Sequence, residues 1–314
     1  MTAQIPKVSV IVPNYNHAAF LQKRIDSILH QSYQNFEIIL LDDASTDDSV
    51  SVIHSYQNHT KITHCIINSQ NSGSAFAQWK KGIALAKGEW IWIAESDDFA
   101  DHHFLSSLLE LSEQLPECGI VFCQSYEVDS SGQINKSLIA YTEDIPDQPF
   151  HSDFHILGND FIQRGMKYKN VIPNASAVLC KKRFLLHALE HPKIGQMRMA
   201  GDWMVWLRVC SETSIAFVAE PLNYFRNHST TTRKHNTIEK RKQRLWEEKW
   251  VRDEMTRLNI RIEQTEQIER LHAQWFDFHS GRNLLKAAFW QFKIRSYPLF
   301  RYAKQFIQHN KKYR

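Results

Sequence analysis

The chain has 314 residues, 43% hydrophobic and 23% charged, with a formal net charge of +4. That length holds one large α/β domain plus an appendage, and that composition excludes a disordered, collagen-like or disulfide-stapled chain. The charge is unevenly placed: residues 1–234 carry 20 Lys/Arg against 25 Asp/Glu, and residues 235–314 carry 18 against 9. Five cysteines, at 65, 118, 123, 180 and 210, form no CxxC pair and no zinc spacing, so they read as thiols of a reducing compartment. No stretch reaches the ~20 apolar residues a transmembrane helix needs. A strand pattern starting at Lys7 leaves no room for the apolar core of a signal peptide. The expectation is a cytoplasmic protein, or one lying on the inner face of the plasma membrane without crossing it.

In chain order, Lys7–Pro13 is a β-branched run, and Ala18–Gln31 has helical spacing through Phe20, Leu21, Ile25, Ile28 and Leu29. Phe36–Leu41 reads as a buried strand, and Ser45-Thr46-Asp47-Asp48 starts a helix to about Tyr56. Ile62–Ile67 is a third strand. A polar loop over Asn68–Ser74, a helix to Ala86 and a strand to Ala94 follow. Strands alternating with helices over about 100 residues predict a doubly wound, mostly parallel α/β sheet. Gly119–Asp129 holds another strand, Tyr141–Gly158 is a Pro- and Asp-rich loop, and Pro173–Lys181 and Ala216–Tyr224 are later strands around a helix over Asp202–Cys210. From about Thr237 the pattern is helical. The predicted division is a domain over 1–234 and a basic, aromatic helical extension over 235–314.

Two of these strands end in acid. Ile38-Ile39-Leu40-Leu41 runs into Asp42-Asp43, and Trp90-Ile91-Trp92-Ile93-Ala94 runs into Glu95-Ser96-Asp97-Asp98. Strand C-termini are where open α/β sheets bind ligands. Three carboxylates in four residues repel one another unless a cation compensates them, and magnesium-like ions favour such oxygens together with substrate phosphates. Taken alone, the cluster fits a solvated helix cap equally well.

The ordered segments "VSVIVPNYNHAAFLQKRIDSILHQSYQNFEIILLDDASTDDS", "NSGSAFAQWKKGIALAKGEWIWIAESDD" and "AGDWMVWLR" resemble the family 2 glycosyltransferases over roughly residues 7–228. The "QW" and "WIAESDD" variants are similar to those of bacterial surface-polysaccharide (O-antigen or capsule) transferases. The resemblance implies the nucleotide-sugar-binding GT-A fold and an inverting, metal-dependent transfer from a UDP-linked donor to a glycan or lipid-linked glycan acceptor. Pro13 and Tyr15 then hold the nucleobase, which an aromatic face stacks with ~1–3 kcal/mol; the alternative for Tyr15 is a core position. Asp43 accepts a hydrogen bond from the base, while Asp42 caps the following turn. Asp97 ligates Mn²⁺ or Mg²⁺, with Glu95 beside it where the family more often has Asp, and Asp98 contacts the ribose or stands behind the metal. Asn71 and Gly73 belong to a loop that approaches the phosphates. In the helix after that loop the family commonly has Arg-Asn; here Gln78-Trp79 stands, and Lys80 or Lys81 either replaces the Arg or forms a charged helix face. Asp202 is the catalytic base that takes the proton of the acceptor hydroxyl, or an N-cap of its helix, or both. Tyr224-Phe225-Arg226-Asn227-His228-Ser229 resembles a segment that closes over the donor, with His228 reaching the diphosphate or metal and Arg226 assisting.

Residues 281–314 interleave nine basic side chains with eight aromatics and no acid. That suits an anionic membrane surface, or a helix packed on the domain or on a second subunit. Nothing in residues 1–234 supports nucleic-acid binding. Two rival functions remain at this stage: an inactive scaffold of a glycan-assembly complex, and a sugar nucleotidyltransferase. The latter's Gly-rich basic N-terminal loop is replaced here by Pro13-Asn14-Tyr15-Asn16-His17.

Overall fold

The structure, a computed structural model, describes residues 5–146, 150–228, 237–260, 265–279 and 284–312. Ten strands are described: β1 (Val8–Asn14), β2 (Phe36–Asp42), β3 (Ile62–Ile67), β4 (Trp90–Ile93), β5 (Phe99–Ala100), β6 (Cys118–Val128), β7 (Ile134–Ser137), β8 (Phe154–Leu157), β9 (Val178–Lys181) and β10 (Ser214–Arg226). They form one sheet in the order β3-β2-β1-β4-β9-β6-β10-β5, with β7 added to β6 and β8 to β10. The first four are parallel. β9 runs against both β4 and β6, and β10 is again parallel to β6. Six strands of the main path therefore point the same way, as the predicted doubly wound sheet requires.

Side-chain alternation divides the core into two layers. Ile11, Ile39, Leu41, Ile91 and Ile93 face one side, with Trp79, Ile83, Met204 and Leu207 from the helices there. Val10, Val12, Ile38, Leu40, Trp90 and Trp92 face the other, against Leu21, Ile25, Leu105 and Leu108. Because both faces are covered, the strands read as continuous apolar runs rather than alternating ones.

Two segments differ from the sequence reading. The strand expected over 173–181 shrinks to β9, because Asn174 Oδ1 accepts Ala177 N at 3.0 Å and winds Ala175–Ala177 into a 3₁₀ turn. The loop expected over 141–158 contains β8, which lies along β10.

The expected division at 234/235 falls among residues 229–236, outside the described ones. The helix after it, Ile238–Arg257, places Val251 and Met255 in the first core layer. Its Leu245 opens a third core with Ile268, Leu271, Trp275, Phe276, Phe289, Phe292, Tyr297, Tyr302 and Phe306. Most tail aromatics are thus interior: Trp275 and Phe292 stack at 4.3 Å. On the helix Leu299–Lys312, Phe300 (70% exposed) and Ile307 (49%) stay outside with exposed Arg301, Lys304 and Lys311. Tyr313 lies outside the described residues. No described helix is long and apolar enough to cross a membrane.

Candidate functional site

A cleft of about 700 Å³ opens at the C-terminal ends of β1, β2 and β4, where β1 sits between strands added on either side and ligands of open α/β sheets bind. Pro13, Tyr15, Asp43, Asn71, Gly73, Glu95, Asp97, Asp98, Asp202 and His228 all line it, so the structure gathers these ten residues singled out from the sequence at one place. Tyr15 is 45% exposed there, which rules out the core alternative. The next residue, Asn16, is left-handed with φ 55°. It is held by its Oδ1 accepting Thr46 N at 2.7 Å and its N–H donating to Ser45 Oγ at 2.9 Å.

The two acids of β2 have separate tasks. Buried Asp42 accepts from Asn14 Nδ2 at 2.8 Å and from Ser45 N and Oγ at 2.8 and 2.6 Å, capping the turn. Ala44, between them and this turn, is left-handed with φ 61°. Asp43 accepts from Asn68 Nδ2 at 2.7 Å, Ser72 N at 2.9 Å, Ser72 Oγ at 2.8 Å and Gln78 Nε2 at 2.8 Å. It therefore anchors the loop carrying Asn71 and Gly73. Gln78, 4% exposed, braces this carboxylate instead of reaching toward phosphates. Neither Lys80 nor Lys81 lines the cleft; the Lys81 ammonium is bound to Asn68 Oδ1.

The acidic turn after β4 is sorted residue by residue. Glu95 Oε1 accepts the indole N–H of Trp79 at 3.0 Å, and burial, with the charge of Asp97, pushes its carboxyl up to about 8. Asp98 is buried, and burial together with Asp97 raises it to about 7. Its Oδ1 accepts Arg226 N at 2.9 Å. Asp97 Oδ2 meets His228 Nε2 at 3.0 Å. Burial pushes the Asp97 carboxyl up, but that hydrogen bond and the two nearby imidazoles outweigh it and hold the group below the usual range. His17, Asp97 and His228 each bring one ligand atom within 4.8 Å of the other two; Glu95 stands outside this group.

Part of the charge compensation expected from a metal comes from the protein. Arg24 is fully buried and donates Nε to the Glu95 carbonyl at 2.8 Å. Arg226, 2% exposed, donates Nε to the Asp97 carbonyl at 2.7 Å and Nη1 to the carbonyls of Asp129 and Ser130 at 2.9 and 2.8 Å. Arg226 is thus a clamp on the acidic turn and not a group facing the donor. Ser229 of the same segment lies outside the described residues.

Asp202 opens the helix Gly201–Cys210 from within its first turn. The cap residue is Ala200, so the N-cap alternative does not hold. Its Oδ2 accepts Asn170 Nδ2 at 2.9 Å and its Oδ1 accepts Trp203 N at 2.8 Å. Two supports of Asp202 were missed from the sequence. Asn170 sits in a stretch with no periodic signal. Glu247, from the helix Ile238–Arg257, is fully buried and accepts the backbone N–H groups of Arg198, Met199 and Ala200, each at 2.8 Å. A mid-helix Glu among Lys and Arg carries no sequence signal of burial.

Comparison with known proteins adds to this geometry. Residues 9–173 match the pattern of glycosyl transferase family 2. The chain is 35% identical over 127 residues to the glycosyltransferase GlyG of Streptococcus pneumoniae, covering 40% of each chain. It is 35% identical over 98 residues to TuaG of Bacillus subtilis, named as a putative teichuronic acid biosynthesis glycosyltransferase, covering 31% of this chain and 38% of TuaG. The matched stretch thus spans less than half the length of either relative. Among solved structures, S. aureus TarS in complex with UDP-GlcNAc superposes with a TM-score of 0.66 over 97% of this chain and 89% of that one, at 16% identity. At that identity the likeness establishes the GT-A fold.

Proposed function

The chain belongs to glycosyl transferase family 2, and on that premise we propose that it moves a sugar from a UDP-linked donor to a bacterial surface-glycan acceptor, with inversion. The observation that carries the proposal is one cleft that joins an aromatic wall, a carboxylate–imidazole cluster and the Asp202 carboxylate in the first turn of a helix. Tyr15 offers its exposed ring to the base. Asp43 fixes the loop bearing Asn71 and Gly73, which closes on the phosphates. Asp97 and His228 would hold a divalent cation, and their chemistry, one carboxylate on the turn after β4 and one imidazole just past β10, fits Mn²⁺ or Mg²⁺. Such an ion, when bound, stabilises negative charge on a departing diphosphate. Asp202 takes the proton from the acceptor hydroxyl as that oxygen attacks the anomeric carbon opposite the leaving group, and Asn170 orients the carboxylate for it.

TuaG, named for teichuronic acid biosynthesis, lends support to a polysaccharide acceptor, and TarS, solved with UDP-GlcNAc, to UDP as carrier. The exposed pairing of Phe300 and Ile307 with Arg301, Lys304 and Lys311 supports a peripheral seat on an anionic membrane. In this reading residues 1–234 carry the donor site and the extension braces the acceptor side. The test is calorimetric titration of UDP, GDP, dTDP and CDP, with and without Mn²⁺, on the wild type and Asp97→Ala. Expected is UDP binding that Mn²⁺ strengthens in the wild type only. A folded wild type that binds none of the four would refute the transferase reading in favour of a scaffold.

A further inference from the structure

His17 has no part in the reading above, yet it stands in the cation cluster. It follows left-handed Asn16 on the turn between β1 and the helix Ala18–Leu29, and its Nδ1 meets Ser96 Oγ at 2.8 Å, so the acidic turn itself orients the ring. The rings of His17 and His228 meet edge to face at 5.5 Å. Phe20 packs on both, at 6.2 and 5.1 Å, forming an apolar wall behind them. His228 is set from the other side, since Asp98 and the Arg226 clamp fix the end of β10 two residues before it. Three elements distant in sequence therefore converge on one point, with hydrogen bonds orienting the groups they present, which is how metal sites are commonly supported.

We propose that His17 is a third protein ligand, making a site of two imidazoles and one carboxylate that selects a first-row transition ion such as Mn²⁺ over Mg²⁺. The proposal rests on the donor-site reading and deepens it, giving the cation two nitrogens where the sequence suggested Glu95. Mn²⁺ is a hard ion, but it accepts imidazole nitrogen more readily than Mg²⁺ does, and Mg²⁺ favours an oxygen shell and retains its waters. Glu95 is turned to the Trp79 indole instead, so the nearby oxygen contribution from this chain rests on Asp97.

The test is electron spin-echo spectroscopy of Mn²⁺ bound to the full chain, with nitrogen couplings counted in the wild type and in His17→Ala. Two imidazole nitrogens are expected in the wild type and one in the variant. Mn²⁺ affinity, read from the signal of the free ion, should fall at least about tenfold in the variant, as changes around a metal typically do. Excess Mg²⁺ should displace Mn²⁺ from the variant far more readily than from the wild type. If the variant misfolds, the nitrogen count in the wild type decides alone. A single nitrogen in the wild type, or unchanged affinity in a folded variant, overturns the proposal. UDP titrated without metal separates the two readings. UDP binding with a one-nitrogen spectrum removes only His17, and two nitrogens with no UDP binding removes only the donor reading.

Discussion

Replacing Glu247 by alanine removes the acceptor of three backbone N–H groups at 2.8 Å and of Gln243 Nε2 at 3.0 Å. Hydrogen bonds to a charged group contribute ~1.5–3 kcal/mol each, so the three backbone bonds set an upper limit of about 5–9 kcal/mol. Arg198 is exposed and Met199 and Ala200 are half-buried, so water recovers much of this, and the expected loss is about 2–4 kcal/mol. Alanine is itself a good helix former and adds no cost in the helix. The damage should be local, because the freed loop leads directly into Asp202. A displacement there of about 1 Å is enough to cost ~100-fold in turnover. Glu247→Ala should therefore lower stability in urea by that amount and cut kcat 10–100-fold, while UDP affinity by calorimetry stays within about twofold, since the nucleotide side has its own supports. Glu247→Gln, which keeps one carbonyl acceptor, should fall between. Wild-type stability in Glu247→Ala, or lost UDP affinity with kcat intact, would refute the reasoning.

Three further outcomes are expected. Ala44→Gly relieves a left-handed alanine (φ 61°) that costs ~1–2 kcal/mol; after the entropy of a glycine it should gain about 0.5–1 kcal/mol in urea unfolding, and any destabilisation contradicts this. Burial pushes His272 down to about 3, and its ring accepts Ile294 N at 3.3 Å. The folded value lies below the unfolded one near 6.5, so its stability is complete above pH 6.5 and is lost as pH falls toward 3, by ~2 kcal/mol at pH 5. His272→Phe should flatten that slope in melting curves, and an unchanged slope would exclude His272 as its source. Asp202→Asn should abolish sugar transfer while leaving UDP binding at its wild-type level; retained transfer would reassign the base.

Much of this was legible in the sequence because short-range pattern and strand-end chemistry determine it. The apolar runs of β1 to β4 and the acids that follow them place Tyr15, Asp43 and Asp97 at one edge of a parallel sheet. What was hidden depends on contacts between residues far apart in the chain. Glu247 meets the 198–200 loop about fifty positions away, Gln78 is consumed by Asp43, and Arg226 turns inward to the Asp97 carbonyl. The tail stayed open between its alternatives for a related reason. Alternating aromatic and basic residues describe a membrane-facing stripe as well as a small amphipathic core, and only the partners Ile268, Leu271 and Trp275 show which aromatics turn inward. His17 passed unremarked among 16 histidines, since its role appears only when β4 and β10 are brought beside β1.

The antiparallel strand β9 has a consequence for how the chain is made. Within the sheet of the described residues, the parallel half β3-β2-β1-β4 joins β6 and β10 through β9 alone, whose residues, 178–181, emerge some ninety positions after β4. During synthesis the β4 edge, Trp90-Ile91-Trp92-Ile93, waits unpaired on one side while that intervening chain is translated. Unpaired apolar edges are templates for wrong pairing, and contacts of long sequence separation form slowly. A nascent chain stalled before residue 178 would thus present an aggregation-prone ribbon, making this interval the point at which holding chaperones matter most.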